Sequence, residues 1–179
     1  MQNKPDETTT DDDRKIVSSK HLADSVGWRF SELEFGLTIF YNAFTKWIVR
    51  CSAVAGKYDL NAIDVLTLHN IYSRDNEQRR IDICFMLNIE DTHTVTYSLK
   101  KLVKQDLIAG SKRGKEIYYA TTDKGKELCE QYKNIRQQCL LSGTGSFDFD
   151  VESISQIAAN LRTLSGLYDQ AARSAASMT

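Results

Sequence analysis

The sequence predicts a mainly α-helical fold with one small β-hairpin, framed by two long helices. Three observations predict it. Near each end, apolar residues recur at alternating spacings of three and four. Between these stripes lie shorter apolar segments broken by polar turns. At residues 107–120 the pattern changes to β-formers on either side of a polar, glycine-containing stretch.

The elements follow in chain order. Residues 1–20 are polar, with Thr8, Thr9 and Thr10 running into Asp11, Asp12 and Asp13. They lack the apolar content to fold alone and read as a disordered acidic tail. The first stripe comprises Phe30, Leu33, Leu37, Phe40, Phe44, Trp47 and Cys51. It predicts one long helix over 28–56, with Ser31 or an earlier residue as its cap and Gly56 and Asp59 at its end. A core over 57–140 follows. It holds helices at 60–72, 79–87 and 91–104, and the last has Val95, Leu99, Leu102 and Val103 on one face. A hairpin then joins residues 107–109 to 117–120 through a basic tip, and a helix opened by Thr122-Asp123-Lys124-Gly125 carries Leu128, Tyr132, Ile135 and Cys139. Gly143 to Ser146 break the chain. The final helix, 147–176, bears the second stripe: Ile154, Ile157, Leu161, Leu164, Tyr168, Ala171 and Ala175. Two uninterrupted stripes present more apolar surface than one small core needs, which predicts a homodimer built by residues 28–52 and 151–175.

Composition excludes several classes. No apolar run spans a bilayer, and the N-terminus lacks a basic-then-apolar leader, so a cytoplasmic protein is expected, with no membrane partner. Cys51, Cys84, Cys129 and Cys139 form no C-x-x-C, and no histidine stands at zinc-ligand spacing. No metal and no cofactor are expected. There is no glycine-rich phosphate loop, nucleophile elbow or carboxylate cluster, so the chain does not read as an enzyme.

The order helix, helix, short turn, helix, hairpin is that of a winged helix-turn-helix. Its centre is DICFMLNIEDTHTVTYSLKKLVKQDLI, residues 82–108. Ile83 and Leu87 face the core, and Cys84 is the small residue where helices approach. Asn88 takes the turn, where left-handed geometry suits it, and Asp91 caps the next helix. On that helix's outer face His93, Thr96, Tyr97, Lys100 and Lys104 lie within about 100° of one another. Thr94 and Lys101 flank them. Short polar groups near the N-terminus suit base edges in the major groove, and cations further along suit phosphates. Lys112, Arg113 and Lys115 surround Gly114 at the hairpin tip. From Lys100 to Lys115 the local charge is +5, against −1 for the whole chain. The expected partner is double-stranded DNA.

Residues 60–140 resemble the MarR family of winged-helix regulators. The resemblance is carried by the helix-turn-helix, the wing SKRGKEIYYA at 111–120 and the segment TTDKGKEL at 121–128, with long helices on either side. It implies a homodimeric transcription regulator, recognition helices in successive major grooves and Arg113 directed toward a minor groove. Two features depart from the family pattern. The turn before the recognition helix is one residue longer, and the wing is short and lacks Asp-x-Arg.

Other readings stay open beside this one. The winged helix can serve as a protein-interaction module, its basic face idle or bound to an acidic partner. The aromatic stripe Phe30, Phe40, Phe44 and Trp47 can flank a pocket for a small-molecule effector or be plain core and interface. Cys84, Cys129 and Cys139 read as buried structural thiols, with a redox sensor as the alternative. His21 and His69 read as surface or half-buried residues.

Overall fold

The structure is a computed structural model. It describes residues 20–22, 27–56, 59–74, 76–143, 150 and 152–178. The acidic tail expected at the N-terminus falls on residues outside this set, apart from a 3-10 turn that begins at its last residue, Lys20–Leu22. The chain divides into two compact units, one ending at Tyr132 and one beginning at Lys133.

Helix α1, Gly27–Gly56, opens the first unit. Ser31, expected as a possible cap, lies inside the helix and is buried. The helix has started four residues earlier, so no cap is required at 31. The apolar stripe divides along its length. Ile48 and Cys51 are buried, with Phe44 and Trp47 packed against the core. Phe30, Leu37 and Phe40 remain exposed, Phe40 at 60%.

Helix α2, Ala62–Tyr72, begins with a reciprocal capping box between Asn61 and Asp64. It buries Val65, Leu68 and Ile71. The polar segment that follows contains an element absent from the sequence reading. Strand β1, Gln78–Arg79, pairs with Tyr119 and Tyr118. Two residues are too few to show a period, so the strand exists only through its partner.

Helix α3, Arg80–Met86, and helix α4, Thr92–Lys104, form the helix-turn-helix. Between them Asn88 has φ 51°, the left-handed conformation expected of it. The Ile89 N–H then returns to Cys84 O at 2.9 Å. Asp91 caps α4, accepting from the His93 N–H at 2.9 Å. Val95, Leu99 and Leu102 are buried, but Val103 is exposed. Residue 103 lies about 80° around the helix from Val95, at the edge of the stripe and not within it.

Strands β2, Ile108–Arg113, and β3, Glu116–Thr121, complete an antiparallel sheet in the order β1-β3-β2. The tip expected between residues 109 and 117 shrinks to Gly114 and Lys115, because pairing continues outward to Arg113 opposite Glu116. Gly114, at φ 63°, makes this tight reversal possible. Lys112 and Arg113 are therefore strand residues, and they project from opposite faces of the wing.

Helix α5, Asp123–Arg136, begins in the first unit and continues into the second. There it leads into a π-helical turn, Gln137–Leu141. Helix α6, Ser153–Ala176, follows, and none of its residues is buried. Residues 147–149 and 151, expected at the start of this last helix, lie outside the described set.

The four cysteines are all thiols. Cys51, Cys84 and Cys129 are buried, but Cys139 is exposed, which corrects its expected place among the buried thiols. It sits in the π-helical turn, where the changed winding takes it off the stripe of Leu128, Tyr132 and Ile135. Burial pushes the Cys129 thiol up to about 12 and raises Cys84 as well. A disulfide reagent at pH 8 should therefore label Cys139 quickly in the native protein. The other three should react only on unfolding. Rapid reaction of two or more thiols in the native state would contradict this burial pattern.

Candidate nucleic-acid interface

The outer face of α4 presents an exposed ridge of His93, Tyr97, Lys100 and Lys104. Tyr97 stands out at 70% exposure. The ridge exists because the opposite stripe anchors the helix so deeply: Val95, Leu99 and Leu102 are at most 1% exposed. The two threonines named with this face are half-buried. Thr94 Oγ1 donates to Asp91 Oδ2 at 3.2 Å, reinforcing the cap. Thr96 Oγ1 donates to the Thr92 carbonyl at 2.8 Å. Lys101 is also half-buried, and its Nζ lies 2.9 Å from Asp64 Oδ2, a carboxylate almost wholly removed from solvent.

On the wing, Lys112, Arg113 and Lys115 are all exposed. Arg113 is held on two sides. Its guanidinium pairs with Glu77, and it lies over the Tyr118 ring at 5.0 Å from the centroid. Ser111 Oγ donates to the other oxygen of Glu77 at 3.2 Å. The wing lacks a carboxylate two residues before Arg113, but one arrives from the segment leading into β1.

Sequence reasoning missed two residues here, Glu77 and Arg80. Arg80 opens α3, is exposed, and reaches Thr96 Oγ1 with its guanidinium at 3.3 Å. It thereby adds a cation beside the recognition face. Neither residue carries a periodic signal. Each joins the site only because α3 and β1 pack across α4 and the wing. The neighbouring Arg79 is tied to Asp82 by two hydrogen bonds of 2.9 and 2.8 Å, and holds that carboxyl below the usual carboxylate range.

Away from this face, His69 is half-buried and packs edge-on against Tyr132 at 4.4 Å. Burial lowers its pKa, which favours the neutral imidazole. His21 is exposed. Among the described residues there is no group of three or more His, Cys, Asp or Glu that could hold a metal. No described helix is long and apolar enough to cross a membrane.

A basic, exposed recognition helix beside a basic two-stranded wing defines the class of winged-helix DNA-binding domains. Residues 60–125 match the family model of the winged helix DNA-binding domain. No curated protein matches the chain. Solved structures do. A MarR transcriptional regulator from Methanosarcina mazei Go1 is 17% identical and superposes with a TM-score of 0.60 over 76% of this chain and 90% of its own. MepR of S. aureus, in complex with DNA, is 20% identical with a TM-score of 0.59, over 75% and 97% of the two chains. CouR from Rhodococcus jostii RHA1, bound to p-coumaroyl-CoA, is 14% identical with a TM-score of 0.60, over 82% and 95%. The chain is thus MarR-like in fold, with a mainly α winged-helix architecture.

Proposed function

We propose that this protein is a sequence-specific, DNA-binding transcription regulator acting as a homodimer in the cytoplasm. The observation that carries the reading is the exposed ridge His93, Tyr97, Lys100 and Lys104 beside a wing bearing Lys112, Arg113 and Lys115. Thr94 and Thr96 border the ridge, and Arg80 extends it. In this reading α4 enters the major groove, His93 and Tyr97 meet base edges, and the lysines and the wing meet phosphates. The MarR-like fold and the DNA complex of MepR support it. Fluorescence anisotropy with a random-sequence duplex tests it: binding should weaken linearly in log salt. Absence of salt-dependent binding would favour a protein-interaction module instead.

The dimer rests on a second observation. Helix α6 buries none of its stripe, and α1 leaves Phe30, Leu37 and Phe40 in solvent. Apolar surface of this extent is characteristic of an interface. Sedimentation at micromolar concentration should give about twice the 20.3 kDa chain mass. A monomer there would remove the dimer from the proposal. A small-molecule effector completes the reading, by analogy with CouR and its bound p-coumaroyl-CoA.

A further inference from the structure

Lys101 differs from the other lysines of α4. It lies about 80° around the helix from His93, toward the buried side. Its side chain is 32% exposed, whereas the Asp64 side chain it meets is 2% exposed. Asp64 Oδ2, the oxygen paired with Lys101, also accepts the Asn61 N–H at 2.9 Å. The Asp64 N–H in turn donates to Asn61 Oδ1, also at 2.9 Å. One buried carboxylate therefore begins α2 and grips the last turn of α4.

We propose that the Asp64–Lys101 pair fixes the recognition helix on α2, making Lys101 a positioning residue and not a phosphate contact. Moving the ammonium to a phosphate would leave Asp64 a buried charge with only one backbone donor. Such a charge is far more costly than an exposed lysine without a phosphate. The pair also joins two helices whose other buried residues, apart from Thr67 and Ser98, are apolar. It therefore selects one rotation of α4 where side-chain packing alone tolerates small shifts. The presented ridge then depends on Lys101 without including it. This inference rests on the DNA-binding reading.

The test compares Lys101→Met, Lys104→Ala and the double variant Asp64→Asn/Lys101→Met in the full chain. Lys104→Ala should flatten the salt slope on a random duplex by about 0.9 per subunit. Lys101→Met should leave the slope at the native value. It should lower the preference for a selected site over random duplex by about tenfold and speed hydrogen exchange of the α4 amides. The double variant should recover most of the lost protection and preference, because the buried charge goes with its partner. A slope lowered by Lys101→Met as much as by Lys104→Ala would overturn the proposal. So would α4 exchange unchanged from native. If Lys101→Met does not fold, the slope and exchange of the double variant decide the point. If the native chain binds no duplex, the regulator reading fails, and exchange in α4 still decides whether the pair holds the helix.

Discussion

Gly125→Ala is expected to lower stability by about 4 kcal/mol or more, or to prevent folding. A Cβ built on Gly125 would stand 2.0 Å from the Leu107 carbonyl oxygen and 3.0 Å from its carbon. Neither atom belongs to a flexible side chain. Leu107 is fully buried, and its carbonyl already accepts the Thr122 N–H at 3.1 Å. Thr122 Oγ1 in turn accepts the Gly125 N–H at 3.1 Å and donates to the Asp106 carbonyl at 2.7 Å. The methyl must therefore displace the start of the wing or the first turn of α5, and both carry buried residues. Urea denaturation followed by circular dichroism provides the measurement. Gly36→Ala is the control, because nothing lies within 4 Å of its added methyl. Inside α1 it should stabilise by roughly 0.5–1 kcal/mol through helix propensity. A Gly125→Ala midpoint close to native would show that the wing and α5 are not packed as described.

Tyr97→Ala should cost about 1–3 kcal/mol per contacted base pair at the preferred DNA site and leave random-duplex binding nearly unchanged. Tyr97 is the large side chain of the ridge, and it is mostly exposed. Its loss should therefore leave the fold intact, which circular dichroism can verify. Lys112→Ala should do the reverse. It should weaken binding to every duplex and flatten the salt slope by about 0.9 for each phosphate that Lys112 neutralises in each subunit. Arg113→Ala should flatten it less, because Glu77 already answers part of that charge. If Tyr97→Ala kept full site preference while Lys112→Ala abolished it, the roles of helix and wing would be exchanged. If neither changed binding to any DNA, the winged helix would be a scaffold for another interaction.

Much of this was legible in the chain because the signals are local. Periodicity revealed α1, α4 and α6, since each shows one apolar face over several turns. Asn88 and Asp91 were legible as turn and cap because their chemistry acts on neighbouring backbone. Charge density marked the proposed interface, since six cations crowd into residues 100–115. The Lys124-Gly125 pair was visible as a motif, but its reason was not. Only the crossing of Leu107 over the first turn of α5 shows why that residue has no side chain.

The remaining features depend on partners distant in sequence. Strand β1 has no pattern of its own and forms against Tyr118 and Tyr119. Wing pairing reaches Arg113 because Gly114 turns tightly, which places Lys112 and Arg113 on opposite faces. Cys139 continues the stripe in sequence but leaves it in space once the helix widens into a π turn. The lysines diverge most clearly. Lys100, Lys101 and Lys104 are chemically alike and close in sequence, and sequence reasoning grouped them. The fold separates them by what faces each: solvent for Lys100 and Lys104, a buried carboxylate on α2 for Lys101. The sequence by itself determined where helices and charge lie, because those follow from neighbouring residues. Only the tertiary structure decided which charges are free, because that depends on residues brought together from across the chain.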